Sequence, residues 1–247
     1  MNVPQPLPDR VLVTGATGRI GRAIALRLAR DGFRLTLHCR SREAQARALA
    51  EEIRALGGQA DVLAFDVTDR DRARGLLERS MEEGGPYYGV VCNAGIARDN
   101  AFPALSGEDW DRVLDTSLDG FFNVVQPLIL PMIRTRRGGR IVVVASVSGV
   151  MGNRGQVNYS AAKAGLIGAA KALAVELAGR GITVNCLAPG LIESEMLEGM
   201  DLERALAIVP MARVGRPEEV AAAAGFLFSK DAAYITRQVL GINGGMI

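Results

Sequence analysis

The fold of this 247-residue chain is set by residues 10–21, RVLVTGATGRIG. Residues 10–14 form an apolar run, which predicts a short buried strand. The glycine-rich turn TGATGRIG follows at once, and a helix is predicted over residues 19–31. A glycine-rich turn between a first strand and a first helix is typical of a parallel α/β sheet.

Such a turn also suits a nucleotide. Glycines let the backbone approach a pyrophosphate closely, and the helix N-terminus offers unpaired N–H groups and a partial positive charge. The alternative is a purely structural turn, but its position after strand one favours binding. The predicted contacts are Gly15, Thr17, Gly18, Arg19, Ile20 and Gly21.

Strands and helices alternate along the rest of the chain, with no break in composition. Further strands are predicted at residues 33–39, 60–65, 88–92, 141–145, 182–187 and 238–242. A long helical stretch over residues 107–136 is expected to bend or break near Pro127 and Pro131. The pattern predicts one doubly wound parallel sheet, a single-domain Rossmann fold of three α/β/α layers over residues 10–247, after a flexible arm of residues 1–9.

Polar residues follow the predicted strands and should meet at the carboxyl edge of the sheet. Arg40 and Ser41 follow strand two, where no acid is present to accept a ribose 2′-hydroxyl, so they suit a 2′-phosphate and predict NADP(H). The alternative is a solvated arginine at a helix start. Asp66 and Val67 can hold the adenine, and the ribose can be lined by Asn93, Ala94 and Gly95.

The chemistry is expected between residues 140 and 163. Ser146 lies where a buried strand ends, and Lys163 follows Tyr159 by four residues, which puts both on one helical face. A neighbouring ammonium favours phenolate, so the pair is predicted to give a tyrosine that exchanges protons with an alcohol or carbonyl oxygen. The alternative is an aromatic packed at a helix start beside a solvated lysine.

Composition narrows the remaining choices. The net charge of +2 gives no electrostatic case for a nucleic-acid binder. Cys39, Cys92 and Cys186 lie in apolar runs and are expected to be buried, with no metal site and a reducing, cytoplasmic location. The single histidine, His38, has no histidine partner, so a catalytic triad is not expected. No signal peptide and no membrane-spanning run is found.

Together these motifs resemble the short-chain dehydrogenase/reductase family over nearly the full length. Within it the chain is most similar to the 3-oxoacyl-(acyl carrier protein) reductases of fatty-acid synthesis. The stretches that suggest this are residues 151–153, 156–159, 181–185 and 243–246. The resemblance implies NADPH, a Ser/Tyr/Lys site and a homotetramer.

The resemblance also implies roles. Tyr159 is the general acid in reduction, and Ser146 polarises the substrate carbonyl. Lys163 binds the nicotinamide ribose and lowers the pKa of Tyr159, so both Tyr159 and Lys163 count as cofactor contacts. Pro189 and Gly190 border the nicotinamide, Ile192 is a further cofactor contact, and residues 191–209 form a mobile substrate lid.

Two departures from the family pattern stand out. The glycines are spaced Gly-x2-Gly-x2-Gly, and Arg19 occupies the usual middle-glycine position. Ser117 stands where the family has an asparagine that anchors a water between the catalytic lysine and solvent. We count Ser117 as a candidate catalytic residue, because a serine can also hold a water, although with a shorter reach.

The sequence leaves alternatives open for the binding partner and for the substrate. A basic run of Arg134, Arg136, Arg137 and Arg140 precedes strand five, and the resemblance places docking of an acidic acyl carrier protein at Arg137 and Arg180. The alternative is a solvated helix end. Two rival functions are an NADP-dependent reductase or dehydrogenase of another carbonyl or alcohol (CoA thioester, sugar, polyol) and a nucleotide-binding regulatory protein with reduced catalysis.

Overall fold

The computed structural model describes residues 9–194 and 202–247. In this part of the chain seven parallel strands form one sheet, in the order β3-β2-β1-β4-β5-β6-β7. The strands are β1 Arg10–Val13, β2 Arg34–Cys39, β3 Gln59–Ala64, β4 Gly89–Cys92, β5 Gly139–Val144, β6 Ile182–Pro189 and β7 Val239–Ile242. The prediction of a doubly wound parallel sheet is confirmed.

The helices between the strands largely match the predicted segments, with ends that differ by one to three residues. They are α1 Arg19–Arg30, α2 Glu43–Ala55, α3 Arg70–Gly84, α4 Gly107–Leu114, α5 Gly120–Arg134, α6 Ser148–Met151, α7 Val157–Leu177, α8 Leu202–Leu206 and α9 Pro217–Phe228. Short 3₁₀ turns occupy Phe102–Ala104 and Ala178–Arg180. Among the described residues no helix has both the length and the apolar character needed to cross a bilayer.

Two hydrophobic cores cover the two faces of the sheet. Successive strand residues point to opposite faces, so Val142 and Val144 join the core under α1, α2 and α9. Ile141 and Val143 join the core under α3, α5 and α7. The three-layer α/β/α architecture follows from this alternation.

The strand order reverses between β1 and β4, which pair in parallel with Leu12 opposite Val90. At such a reversal the connections leave on opposite faces, and a crevice opens at the carboxyl ends of the strands. The glycine-rich turn after β1 and the loop that begins at Asn93 after β4 therefore face each other across one crevice.

The helical stretch over residues 107–136 corrects one prediction. Its interruption is a π-helical turn at Asp115–Asp119, not a break at the prolines. Pro127 and Pro131 lie inside α5, which runs through both. Buried residues such as Leu128 and Met132 pack α5 onto the sheet, and this packing outweighs the missing proline N–H groups.

Two predicted segments fall partly outside the described residues. Residues 1–8 of the predicted arm and residues 195–201 of the predicted lid belong there. The start of the lid segment is tied to the body, since Gly215 N–H donates to Leu191 O at 2.8 Å and Glu193 N–H donates to Gly215 O at 2.9 Å.

Candidate active site

A continuous cleft runs along the carboxyl edge of the sheet. One end, about 470 Å³, is lined by the glycine-rich turn and by the residues that follow β2, β3 and β4. The other end, about 1080 Å³, is lined by Ser146, Tyr159 and Lys163. Ile20, Asn93 and Gly95 line both ends. All the predicted cofactor contacts therefore border one cleft.

The turn after β1 has room for a ligand only on its outer side. Gly15 has a φ of +61°, and a Cβ on Gly21 would lie 2.3 Å from Gly15 O, so the turn needs glycine at both positions. Gly18 is exposed, and a Cβ there would meet nothing closer than 3.5 Å. Gly18 is also the N-cap of α1 and gives no side-chain cap, so the first amides of α1 are open to an anion.

The side chain of Asn93 holds the glycine-rich turn in addition to bordering the cleft. Its side-chain amide donates to Thr14 O at 3.1 Å and to Gly15 O at 3.0 Å. Thr14 Oγ1 in turn accepts from the backbone N–H groups of Asn93 and Ala94. The Asn93 amide thus holds the glycine-rich turn, and the contact of Asn93 with a ribose stays a prediction.

The far end of the cleft carries positive charge. Arg40 and Ser41 are exposed directly after β2 and line the cleft. Arg40 Nη1 lies 4.0 Å from Asp66 Oδ2, which joins the ends of β2 and β3. Asp66 also accepts from the N–H and hydroxyl of Thr68, so its carboxylate is held in place. This arrangement fits a phosphate beside Arg40 and a base beside Asp66.

Ser146, Tyr159 and Lys163 come together because two segments pack without a gap. A Cβ on Gly149 would lie 2.7 Å from Lys163 Cβ, so only glycine lets the segment after β5 approach α7 this closely. The buried side chain of Asn158 accepts from Tyr159 N–H at 2.8 Å and donates to Arg98 O at 3.0 Å, which fixes the start of α7. Close packing of these two segments thus assembles the predicted Ser/Tyr/Lys site.

Lys163 is buried, and its Nζ donates to Val144 O at 2.9 Å, 5.5 Å from the centre of the Tyr159 ring. Burial lowers the pKa of Lys163 to about 8, partly opposed by Cys186 and Cys92.

The three cysteines of the chain are free and buried. The described residues contain no group of three or more acidic, cysteine or histidine side chains able to hold a metal.

The predicted pKa direction for Tyr159 is wrong for this structure. Burial raises the pKa of Tyr159, a hydrogen bond with the Ser146 side chain lowers it, and the charge of Asp99 raises it again. The ammonium of Lys163 lies 5.5 Å from the centre of the Tyr159 ring and donates to Val144 O. Tyr159 is therefore held as a protonated phenol.

A series of hydrogen bonds leads from Asp99 to Ser146, and the sequence analysis did not predict it. Gln156 Nε2 donates to Asp99 Oδ2 at 2.7 Å, and Ser148 Oγ donates to Gln156 Oε1 at 2.9 Å. Ser148 N–H donates to Ser146 Oγ at 3.1 Å. Since Ser146 Oγ accepts here, its own hydrogen is available to Tyr159 or to a substrate oxygen. These contacts join two loops that sequence spacing cannot bring together.

Ser117 lies apart from the cleft lining. It sits in the π-helical turn, is 2% exposed, and its Oγ has no hydrogen-bond partner among the described residues. Its neighbour Thr116 does line the cleft, and Leu118 packs against Gly165 of α7. A buried hydroxyl without a partner is a place where a water is expected.

The predicted docking arginines do not lie near the cleft of their own chain. Arg137 pairs with Asp9 Oδ1 at 2.9 Å, and both residues precede strands, so they lie at the amino edge of the sheet. Arg180 precedes β6, next to Arg137, as the contact of Gly139 N–H with Gly181 O at 3.3 Å shows. The length of a six-residue strand, roughly 20 Å, separates this basic patch (Arg137 and Arg180) from Ser146.

Comparison with known proteins identifies the family of the chain. A family profile named Enoyl-(Acyl carrier protein) reductase matches residues 15–247. The 3-oxoacyl-[acyl-carrier-protein] reductase FabG of Aggregatibacter actinomycetemcomitans is 58% identical over 97% of this chain and 100% of its own length. Proteins of the same name from Thermotoga maritima and Staphylococcus aureus strain Mu50 are 43% and 42% identical, over 96% and 95% of this chain and 96% of each relative. The chain belongs to the short-chain dehydrogenase/reductase family of oxidoreductases.

Proposed function

We propose that the protein is an NADPH-dependent 3-oxoacyl-(acyl carrier protein) reductase of fatty-acid synthesis. One observation carries this proposal: Ser146, Tyr159 and Lys163 share one cleft with a glycine-rich turn whose helix amides have no side-chain cap and suit a phosphate. The family profile is named for enoyl substrates, but the three individual relatives act on 3-oxoacyl groups by name and match almost the whole chain.

The cleft fits a nicotinamide dinucleotide. The open amides of α1 suit the pyrophosphate, and Pro189 and Gly190 border the catalytic end of the cleft. When bound, NADPH supplies the hydride for the carbonyl carbon. Preference for the 2′-phosphate form is supported by Arg40 and Ser41, which line the adenosine end and carry no competing carboxylate directly after β2.

The protein's own groups manage the proton. The phenol of Tyr159 is protonated at neutral pH and can donate its proton to the oxygen of the reduced carbonyl. The Ser146 hydroxyl, oriented by Ser148 N–H, holds the same oxygen. Lys163, with a pKa of about 8, exchanges protons near neutral pH. We propose that a water on Ser117 Oγ connects this lysine to solvent.

The test is NADPH oxidation with matched 3-oxoacyl substrates on a carrier protein and on CoA, together with sugar and polyol substrates in the reverse direction. We expect turnover of both thioesters, with the higher kcat/KM for the carrier form. Turnover of sugars or polyols, with no turnover of either thioester, would contradict the proposed substrate. Binding of NADPH without any turnover would support a regulatory protein instead, and Tyr159→Phe provides the inactive control.

Carrier docking and assembly are linked in this proposal. The basic patch at Arg137 and Arg180 lies at the opposite edge of the sheet from its own cleft, so it guides a carrier only to the cleft of another subunit. A homotetramer is supported by exposed apolar side chains at Phe122 and Leu130 of α5 and at Val175 of α7. Light scattering measures the assembly directly.

Mixed assemblies test the link. Subunits with Tyr159→Phe keep the patch, and subunits with Arg137→Glu and Arg180→Glu keep the catalytic groups. If the patch serves a neighbouring cleft, mixing the two should restore part of the activity on carrier-linked substrate. No restoration, with normal activity on a small thioester, would remove both arginines from the docking site.

The three buried, free cysteines support a reducing compartment, and on this basis we place the enzyme in the cytoplasm.

A further inference from the structure

The side chain of His38 lies between the glycine-rich turn and the end of β3. It is only 2% exposed. Nδ1 accepts from Gly15 N–H at 3.2 Å, and Nε2 lies 2.9 Å from Phe65 O. A backbone N–H can only donate, and a carbonyl oxygen can only accept. Nδ1 is therefore the acceptor, Nε2 carries the hydrogen, and the two partners fix the tautomer.

The two contacts of the ring reach two parts of the cleft lining. Gly15 stands in the left-handed region that the turn requires. Phe65 directly precedes Asp66 and Val67, which line the adenosine end of the cleft. The imidazole packs on the Phe65 ring with 4.2 Å between centres. His38 thus spans from the turn to the base end of the cleft.

The turn is held from two sides. Asn93 donates to the carbonyl of Gly15, as described above, and His38 accepts its N–H. The carbonyl of His38 also accepts from Ala16 N–H at 2.9 Å. Among the described residues no other side chain accepts from Gly15 N–H. Loss of the Nδ1 acceptor would leave this amide without its partner and release one side of the turn.

We propose that His38 is a positioning residue for the dinucleotide: its neutral imidazole sets the position of the glycine-rich turn relative to the end of β3. The proposal rests on the proposed nucleotide site and deepens it. Burial lowers the pKa of His38 to about 4, with Phe65 O and Asp66 opposing, so the ring stays neutral under ordinary assay conditions.

Two substitutions separate the contacts of the ring. Asparagine carries its amide oxygen as many bonds from Cβ as Nδ1, so His38→Asn keeps an acceptor for Gly15 N–H. Glutamine carries its amide nitrogen as many bonds from Cβ as Nε2, so His38→Gln keeps a donor for Phe65 O. Thr36→Val serves as the control, because Thr36 is buried on the same strand and its Oγ1 accepts from Arg10 Nε at 3.1 Å, away from the turn.

The dissociation constant of NADPH, measured by cofactor fluorescence on the cofactor-free protein, should rise about tenfold in His38→Gln, the equivalent of one neutral hydrogen bond. It should stay within about threefold of the wild type in His38→Asn and Thr36→Val, and kcat at saturating NADPH should change little in all three. Amide exchange of the peptide that contains Gly15 should be faster in His38→Gln alone.

Equal changes in NADPH affinity for His38→Gln and His38→Asn, in proportion to their thermal stability, would overturn the proposal. If a variant fails to fold, nitrogen NMR of the wild-type protein tests the tautomer of His38. Hydrogen on Nδ1 would contradict the proposal, and hydrogen on Nε2 would support it. A wild-type protein that binds neither NADPH nor NADH would instead overturn the nucleotide site itself, so the two failures are distinguishable.

Discussion

Replacing Lys163 with methionine should abolish catalysis and yet make the cofactor-free protein more stable at neutral pH. Burial lowers the pKa of this lysine from 10.5 to about 8. At about 1.4 kcal/mol for each tenfold change in the equilibrium constant, the folded state disfavours the ammonium by about 3 kcal/mol. Methionine has a similar length and no charge. It loses the hydrogen bond to Val144 O, which contributes about 1 kcal/mol. The net gain expected is about 2 kcal/mol.

The pH dependence has a defined sign. Between pH 8 and 10.5 the unfolded lysine holds its proton while the folded one has released it, so the unfolded state binds more protons and stability rises with pH. The wild type should regain about 2 kcal/mol from Lys163 between roughly pH 8 and 10. Cys92 and Cys186, whose pKa values burial raises to about 12, act in the opposite direction in both proteins and cancel in the difference.

The assay is urea unfolding of both proteins without cofactor at several pH values, with melting temperatures as a second measure. At pH 7 the variant should melt about 4–8 °C higher, given about 2–4 °C per kcal/mol for a chain of this size, and the gap should shrink towards pH 10. Lys171→Met is the matched control, because Lys171 is exposed on the same helix. A less stable Lys163→Met protein at pH 7, or a gap that does not depend on pH, would refute the reasoning.

Three other predictions concern activity. Tyr159→Phe should keep NADPH binding and lose about 10²–10⁴-fold in reduction, as measured by NADPH oxidation; near-normal turnover would remove Tyr159 as the acid. Arg40→Ala should weaken NADPH binding about ten- to a hundredfold and NADH binding little; equal losses would contradict the 2′-phosphate assignment. Ser117→Ala should lower kcat while Ser117→Asn raises it or leaves it unchanged, with cofactor affinity constant; an unchanged kcat and pH profile in Ser117→Ala would end the proposed water relay.

Local sequence patterns were enough for the sheet and for much of the site. The apolar run of β1, the glycines that follow it and the spacing of Tyr159 and Lys163 depend on neighbours along the chain. The carboxyl edge of a parallel sheet then gathers whatever follows each strand. For this reason the residues named after β1 to β6 do border one cleft.

The hydrogen-bond partners and the pKa values of the side chains cannot be predicted from local sequence patterns. The sequence pattern does not predict that the Asn93 amide donates to Thr14 O and Gly15 O, residues 79 and 78 positions away along the chain. The pKa of Tyr159 depends on how tightly the cleft encloses the ring, and spacing along α7 says nothing about that. The π-helical turn that carries Ser117 likewise depends on packing against α7.

The position of the docking arginines could have been deduced from the chain. Arg137 and Arg180 precede β5 and β6, and residues that precede parallel strands gather at the edge opposite the site. The resemblance to the 3-oxoacyl-(acyl carrier protein) reductases implies a docking role for Arg137 and Arg180. It does not say where the two residues lie relative to the cleft of their own subunit. If Arg137 and Arg180 dock a carrier, as proposed, their place at the opposite edge of the sheet means that they serve the cleft of a second subunit.

The burial of Tyr159 and Lys163 explains why both pKa values move against the simple ion-pair expectation. An ammonium exposed beside a phenol would lower the pKa of the phenol and raise its own. Here desolvation dominates both groups, so the phenol keeps its proton and the amine gives up its proton more easily. A donor that stays protonated and a neighbour that exchanges protons near pH 8 suit the reduction of a carbonyl, in which a proton must be delivered to oxygen and then replaced. The stability lost at Lys163 and the pKa shifts of both groups thus have one physical cause, their burial.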